Sequence, residues 1–202
     1  MRIEENGIVF DFDDHLAVDK FDESGYYQNY FKKLPGGKGV DFILKSEDTL
    51  MLIEVKNCDG HECDNRWRIS PDNSKRNTTA TIVNTDDRDS LDIEIPQKIA
   101  MTLACLLGAH SQPQFQTHSN VLKKYSNFIM MNNISTGTNK IKVVLFLEGN
   151  FGSKTRPQKA ILTSLGKKIK EKMSWLNCSV FVENIENHHN NYYTASMKAD
   201  NA

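Results

Sequence analysis

Asp41, Glu54 and Lys56 are the residues whose types and spacing point to chemistry. Two apolar runs carry them. Gly39-Val40-Asp41-Phe42-Ile43-Leu44 comes first, then a polar turn at Ser46-Glu47-Asp48, then Leu50-Met51-Leu52-Ile53-Glu54-Val55-Lys56. Both runs are rich in Val, Ile, Leu and Phe and bounded by turn residues, which predicts a two-stranded hairpin. Side chains alternate across a strand, so Glu54 and Lys56 share one face while Ile53 and Val55 share the other. Charges at the end of a hydrophobic strand are costly to bury unless they are paired or bound to an ion. Two carboxylates and an ammonium on adjacent strands therefore form a candidate metal site.

The elements that must position these residues follow from periodicity and punctuation. Residues 7–12 read as a short edge strand. A helix is predicted over 19–34, capped by Asp22 or Ser24, with Tyr27, Tyr30, Phe31 and Leu34 as its stripe and Pro35-Gly36-Gly37 as its stop. The hairpin strands fall at about 40–45 and 50–56. Residues 57–90 are dense in Asn, Asp, Ser and Thr and read as a long polar insertion, with Arg66-Trp67-Arg68-Ile69 and Thr79–Val83 as candidate short strands. A helix is expected over about 93–109, its stripe formed by Ile95, Ile99, Leu103, Leu106 and Leu107, with Pro96 in its first turn. A weaker helix over 119–132 carries Val121, Leu122, Tyr125, Phe128 and Ile129. Ile141 to Leu147 is nearly all apolar, the pattern of a strand buried on both faces. An amphipathic helix over 156–175 and a strand over 179–183 complete the series, and a flexible tail is expected from about residue 187. No internal repeat is present. The alternation predicts a single domain over residues 1–202 of α/β class, a central mixed sheet with helices on both faces.

Composition narrows the setting. At 202 residues the chain can bury a substantial core, and its formal net charge of -1 leaves only the distribution of charge to speak of a polyanionic partner. No apolar run is long enough to span a bilayer, and Met1-Arg2-Ile3-Glu4-Glu5 lacks a signal pattern, so a cytoplasmic protein without membrane contact is expected. Cys105 and Cys178 sit in apolar runs and read as buried small hydrophobes. Cys58, His61 and Cys63 form Cys-x-x-His-x-Cys; zinc would need a fourth ligand, and no second cluster of familiar spacing supplies one, which favours reduced loop thiols.

Asp41, twelve intervening residues and then Glu54-Val55-Lys56 closing a strand resemble the PD-(D/E)xK nuclease superfamily, which includes type II restriction endonucleases and archaeal Holliday-junction resolvases. Element order supports the resemblance over roughly residues 22–185; at residue level only 41–56 is specific. Val40 stands where the motif's proline would be, and the insertion after Lys56 leaves the family's third strand unlocated. The resemblance implies a restriction-endonuclease-like core and a nuclease hydrolysing phosphodiester bonds, with DNA as the foremost substrate, in restriction, repair or phage defence. It implies that Asp41, Glu54 and the carbonyl of Val55 bind Mg²⁺ or Mn²⁺, hard cations suited to oxygen ligands. It also implies a polar residue from the following helix, Gln97 or Lys98, and an additional acid from the first helix, Asp22 or Glu23. Lys56, beside two carboxylates, is expected to stay charged and to orient water rather than to act as a base.

Seven basic residues lie between Lys154 and Lys172 against one acid, Glu171, whereas the first 23 residues hold eight acids and two basic residues. Lys154, Arg156 and Lys159, with Arg66 and Arg68 flanking Trp67 in the insertion, are the candidate nucleic-acid contacts; Lys75 and Arg76 lie in the same loop. The bland reading of the basic run is a solvated helix face. Two other function classes compete: an inactive scaffold of the same fold that binds nucleic acid or a protein partner, and a zinc-binding regulatory domain on Cys58, His61 and Cys63. Related nucleases often act as dimers, so a homodimer is compatible with the reading.

Overall fold

The computed structural model describes residues 1–74, 88–112, 116–131, 140–188 and 190–199, with backbone alone at 116–119 and 131. Its strands are β1 (Arg2–Glu5), β2 (Ile8–Phe12), β3 (Ala17–Lys20), β4 (Phe42–Lys45), β5 (Thr49–Asn57), β6 (Lys140–Glu148), β7 (Ser179–Glu183) and β8 (Tyr193–Met197). The α-helices are α1 (Gly25–Asn29), α2 (Glu62–Asn65), α3 (Leu91–Ser111), α4 (Gln116–Met131) and α5 (Gln158–Lys172).

A five-stranded mixed sheet in the order β3-β4-β5-β6-β7 forms the centre. β3, β4 and β5 are antiparallel neighbours, the β4–β5 pair being the predicted hairpin, with Phe42 opposite Ile53. β5, β6 and β7 run parallel, so each step needs a crossover; α3 and α4 lie between β5 and β6, and α5 lies between β6 and β7. β6 is buried almost throughout, as its uninterrupted apolar sequence requires.

The two faces are covered differently. Leu50 and Leu52 of β5 point into a core shared with Ile95, Ile99 and Leu106 of α3, Tyr125 of α4 and Leu165 of α5. Met51, Ile53 and Val55 point the other way, against Ile8, Phe10 and Tyr193. A second sheet in the order β1-β2-β8 covers that face in place of the expected helices. Phe10 lies at its centre, edge-on to Phe42, Phe146 and Tyr193 with ring centroids 5.0–5.5 Å apart, an arrangement aromatic rings prefer.

Several expectations are corrected. Residues 17–20 pair with β4 as a strand, so the helix expected over 19–34 shrinks to α1, preceded by Ser24 and followed by a 3-10 turn at Phe31–Lys33. Tyr26 and Tyr27 are buried, but Leu34 is exposed, so the apolar stripe ends before the helix expected from it. The tail is ordered as β8 because Tyr193, 3% exposed, inserts among the aromatic rings and its hydroxyl donates to Glu183 at 2.8 Å. Arg66–Ile69 forms a 3-10 turn rather than a strand, since Trp67 and Arg68 both turn inward. The candidate strand at 79–83 and the pair Lys75-Arg76 lie outside the described residues. Helix α3 starts two residues early, leaving Pro96 inside it; a buried network at Asp92 holds the first turn. Among the described residues no helix is long and apolar enough to cross a membrane.

The placement of β8 gives a direct test. Tyr193→Ala is expected to cost about 3–5 kcal/mol in urea denaturation, whereas Phe181→Ala, at a site 41% exposed, should cost about 1 kcal/mol or less. Equal small losses would show that β8 does not hold the second sheet.

Candidate functional site

Three backbone tethers place Asp41. Its N–H donates to the carbonyl of Ile53 at 3.1 Å, and its carbonyl accepts from Phe21 N–H at 2.8 Å. The preceding Val40 N–H donates to Thr102 Oγ1 of α3 at 3.2 Å. Gly39 makes this approach possible: a Cβ there would lie 2.7 Å from the Phe21 ring. The Asp41 carboxylate then accepts the Val55 N–H at 2.6 Å, one residue beyond Glu54.

Glu54 shares its face with Leu52, so it points beneath α3 and is 0% exposed. Its Oε1 meets Lys56 Nζ and Lys98 Nζ, each at 2.5 Å, while Oε2 is buried without a hydrogen-bond partner among the described residues. Glu94, one helical turn before Lys98, lies 3.6 Å from Lys56 through Oε1 and receives Arg68 at 2.8 Å on Oε2. Asp41, Glu54 and Glu94 thus face Arg68 and the half-buried Lys56 and Lys98, an alternation that makes burial of the three acids tolerable.

The electrostatics follow from this crowding. Burial, reinforced by the negative charge of Glu54, pushes the Asp41 carboxyl up to about 7, against the pull of Lys98, the Val55 N–H and Lys56. Burial by itself would lower Lys56, but Glu54, Glu94 and Asp41 outweigh it and hold the ammonium above its usual value. Burial likewise opposes ionisation of Glu94, yet Lys56, Arg68 and Lys98 hold its carboxyl below the ordinary range. Asp22 is raised by burial and by Glu5 and Glu23, and its Oδ1 is buried without a hydrogen-bond partner among the described residues.

Not every sequence-predicted residue reaches this cluster. Lys98 does; Gln97, its alternative, is exposed on α3. Asp22 lines the adjoining cleft with Glu94 and Lys98, whereas Glu23 is exposed and paired with Lys20 at 3.0 Å. Arg68 is buried against Glu94 and so does not offer itself to a phosphate; Arg66 is exposed. Lys154, Arg156 and Lys159 are exposed around the start of α5, but Lys172 is taken up by Asp72 and Asp92 at 2.8 and 2.6 Å. Cys58 is buried, its thiol raised by burial, while Cys63 is exposed on α2. Glu94 was not anticipated. Its i, i+4 spacing to Lys98 was the available signal.

The donor atoms here are of the oxygen type that a hard divalent cation takes. The open Oε2 of Glu54, the Asp41 carboxylate and the Val55 carbonyl are hard oxygens suited to Mg²⁺ or Mn²⁺. The Val55 carbonyl also accepts Asn6 Nδ2 at 3.2 Å, which leaves a second lone pair. Among the described residues no group of three or more His, Cys, Asp or Glu side chains is gathered that could hold a metal ion.

Residues 24–195 match the model of a family described as a family of unknown function (DUF6661). The chain belongs to that family. The matched span holds Asp41, Glu54, Lys56, Arg68, Glu94 and Lys98, and begins just after Asp22. Comparisons with curated proteins and with solved structures found no match.

The raised Asp41 makes a pH prediction. Below the ordinary carboxylate range both folded and unfolded chains hold the proton; between that range and about 7 only the folded chain does, so unfolding releases it. Stability without metal should therefore fall as pH rises towards 7. Asp41→Asn keeps an acceptor for Val55 N–H without the charge. In chelator, its stability relative to wild type should improve by a few kcal/mol from about pH 4 to 8 by urea denaturation. A difference that stays flat across this range would refute the strain assigned to Asp41.

Proposed function

We propose that this chain is a metal-dependent nuclease of PD-(D/E)xK type, with a restriction-endonuclease-like core formed by the β4–β5 hairpin, α3 and β6. The observation that carries this reading is Glu54: a fully buried carboxylate with one oxygen held by two ammoniums and the other without a partner among the described residues, near a second carboxylate, Asp41, just ahead of the neighbouring strand. A purely structural ion pair has no need of the open oxygen, nor of Asp41 driven towards neutrality.

Asp41 and Glu54, with the Val55 carbonyl, would hold Mg²⁺ or Mn²⁺. The bound cation would supply acidity to water and charge compensation at the phosphate. Lys56, kept charged by Glu54 and Glu94, is unsuited to abstract a proton and suited to orient water and stabilise charge growing on the phosphoryl oxygens. Lys98 takes a similar place from α3. Glu94 and Arg68 are positioning residues that fix the direction of Lys56.

The deciding assay incubates linear, supercoiled, branched and single-stranded DNA, and RNA, with Mg²⁺, Mn²⁺ or chelator, with Glu54→Ala as control. Cleavage by the wild type alone, and only with metal, is expected. Failure in every arm, with nucleic acid still bound, would leave the scaffold reading in place.

Two variant pairs test the division of roles. Lys98→Ala should lower cleavage by about 10²–10³-fold, as removal of one charge-stabilising donor does, while Gln97→Ala stays within a few-fold of wild type. Lys56→Ala should lose cleavage yet bind metal by calorimetry, and Asp41→Ala should lose both. Metal affinity that collapses in Lys56→Ala would contradict its assigned role.

A further inference from the structure

The second sheet reaches the carboxylate site through the turn between β1 and β2, where Asn6 and Gly7 connect Glu5 to its partner Ile8. Both turn residues are left-handed, at φ 51° and 77°, as a two-residue Asn-Gly hairpin loop requires. From there the Asn6 side-chain amide donates to the Val55 carbonyl at 3.2 Å, across 49 residues of sequence. We propose that Asn6 is a positioning residue for this site, holding the Val55 carbonyl as an oxygen ligand for Mg²⁺ or Mn²⁺. The inference rests on the metal-binding part of the nuclease reading and adds to it a residue from outside the hairpin and α3.

Strand geometry says why that carbonyl needs a partner. A residue's N–H and C=O lie on the same edge of a strand. The Val55 N–H is held by the Asp41 carboxylate at 2.6 Å, so the Val55 carbonyl lies on the Asp41 edge as well. The pairing of β4 with β5 reaches Phe42 opposite Ile53 and stops there, so β4 gives Val55 no partner on that edge. Asn6 fills the gap. Val55 is thereby bracketed, its N–H by a carboxylate of the site and its C=O by a side chain from the second sheet.

The turn has three anchors of its own. Asn57, two residues past Val55, donates through Nδ2 to the Asn6 carbonyl at 2.9 Å. Glu5 pairs with Lys20 of β3 at 2.9 Å, and the N–H of Lys198, just beyond β8, donates to the Gly7 carbonyl at 2.9 Å. A side chain delivered from that backbone aims one lone pair of the Val55 oxygen and leaves the other open. An amide does this without adding charge to a site that already holds Asp41, Glu54 and Lys56. Groups that orient a metal's ligands are worth roughly 10–100-fold in affinity. The plain alternative is that Asn6 only fastens the turn, which would change stability and leave metal affinity alone.

The test is titration calorimetry of the full chain with Mn²⁺. Wild type should bind and Glu54→Ala should not, which assigns the binding to this site. Asn6→Gly removes the amide and keeps a residue at ease in left-handed backbone, so it should fold as wild type by circular dichroism. Its affinity should fall roughly 10–100-fold. Asn57→Ala, which loosens the Asn6 backbone, should weaken binding less, and it keeps the comparison open if Asn6→Gly is destabilised. Lys198→Ala, which breaks an exposed pair with Glu4, should bind as wild type. Cleavage lost in Asn6→Gly should return at saturating Mn²⁺, unlike that lost in Lys98→Ala. Affinity unchanged in Asn6→Gly, or tighter because the amide had competed for the carbonyl, would overturn the proposal. Unchanged affinity together with metal-dependent cleavage by wild type would overturn it and spare the nuclease reading. The expected order of affinities without cleavage of any nucleic acid would do the reverse. A wild type that binds no metal would end both.

Discussion

A carboxylate withdrawn wholly from water is the constraint around which this molecule is arranged. Glu54 ends an apolar stretch of β5 and faces the helical layer, where isolated charge is intolerable. Lys56 answers from the same strand and Lys98 from α3, so two elements distant in sequence must meet at one oxygen. Such a meeting is weak as a source of net stability but strict about geometry. It fixes how α3 lies across the hairpin, and so which residues of α3 face the carboxylates.

A second layer holds the first. Arg68, from the start of the polar insertion, closes on Glu94, and Glu94 faces Lys56. At the first turn of α3, Asp92 accepts from Ser90, from the backbone of Asp72 and from Lys172 of α5. Ser90 N–H also donates to the Asn73 carbonyl, so the two described stems of the insertion are bridged beside the helix that delivers Glu94 and Lys98. Acids in the first turn also suit the positive end of the helix. The described stems of the insertion thus clamp the base of the site.

The hairpin and its charged face were legible because both signals are local: apolar runs bounded by a turn, and alternation along a strand. β6 and α5 were legible for the same reason. What escaped was decided by partners far away in sequence. Residues 17–20 are a strand because β4 offers them an edge, and their own pattern does not say so. Tyr193 reads as part of a polar tail until the rings of Phe10 and Phe146 are placed around it. Arg68 looked like a free cation because its counter-ion, Glu94, belongs to another element. The choice between Gln97 and Lys98 needed the rotation of α3, which adjacent positions in a sequence leave open. The dense basic run near α5 stood out in the sequence but is partly occupied by internal pairs.

In the second sheet, β2 is joined on one side by β1 and on the other by β8, whose partners lie near opposite ends of the sequence. Pairing at such separation carries a large loop-closure entropy and is favoured late in folding. Until β8 arrives, the face bearing Phe42, Met51 and Phe146 lacks Tyr193, and β2 has an unpaired edge. During synthesis the β4–β5 hairpin therefore emerges long before its rear cover is complete. Its nascent chain carries a sticky interval in which chaperone capture competes with self-association.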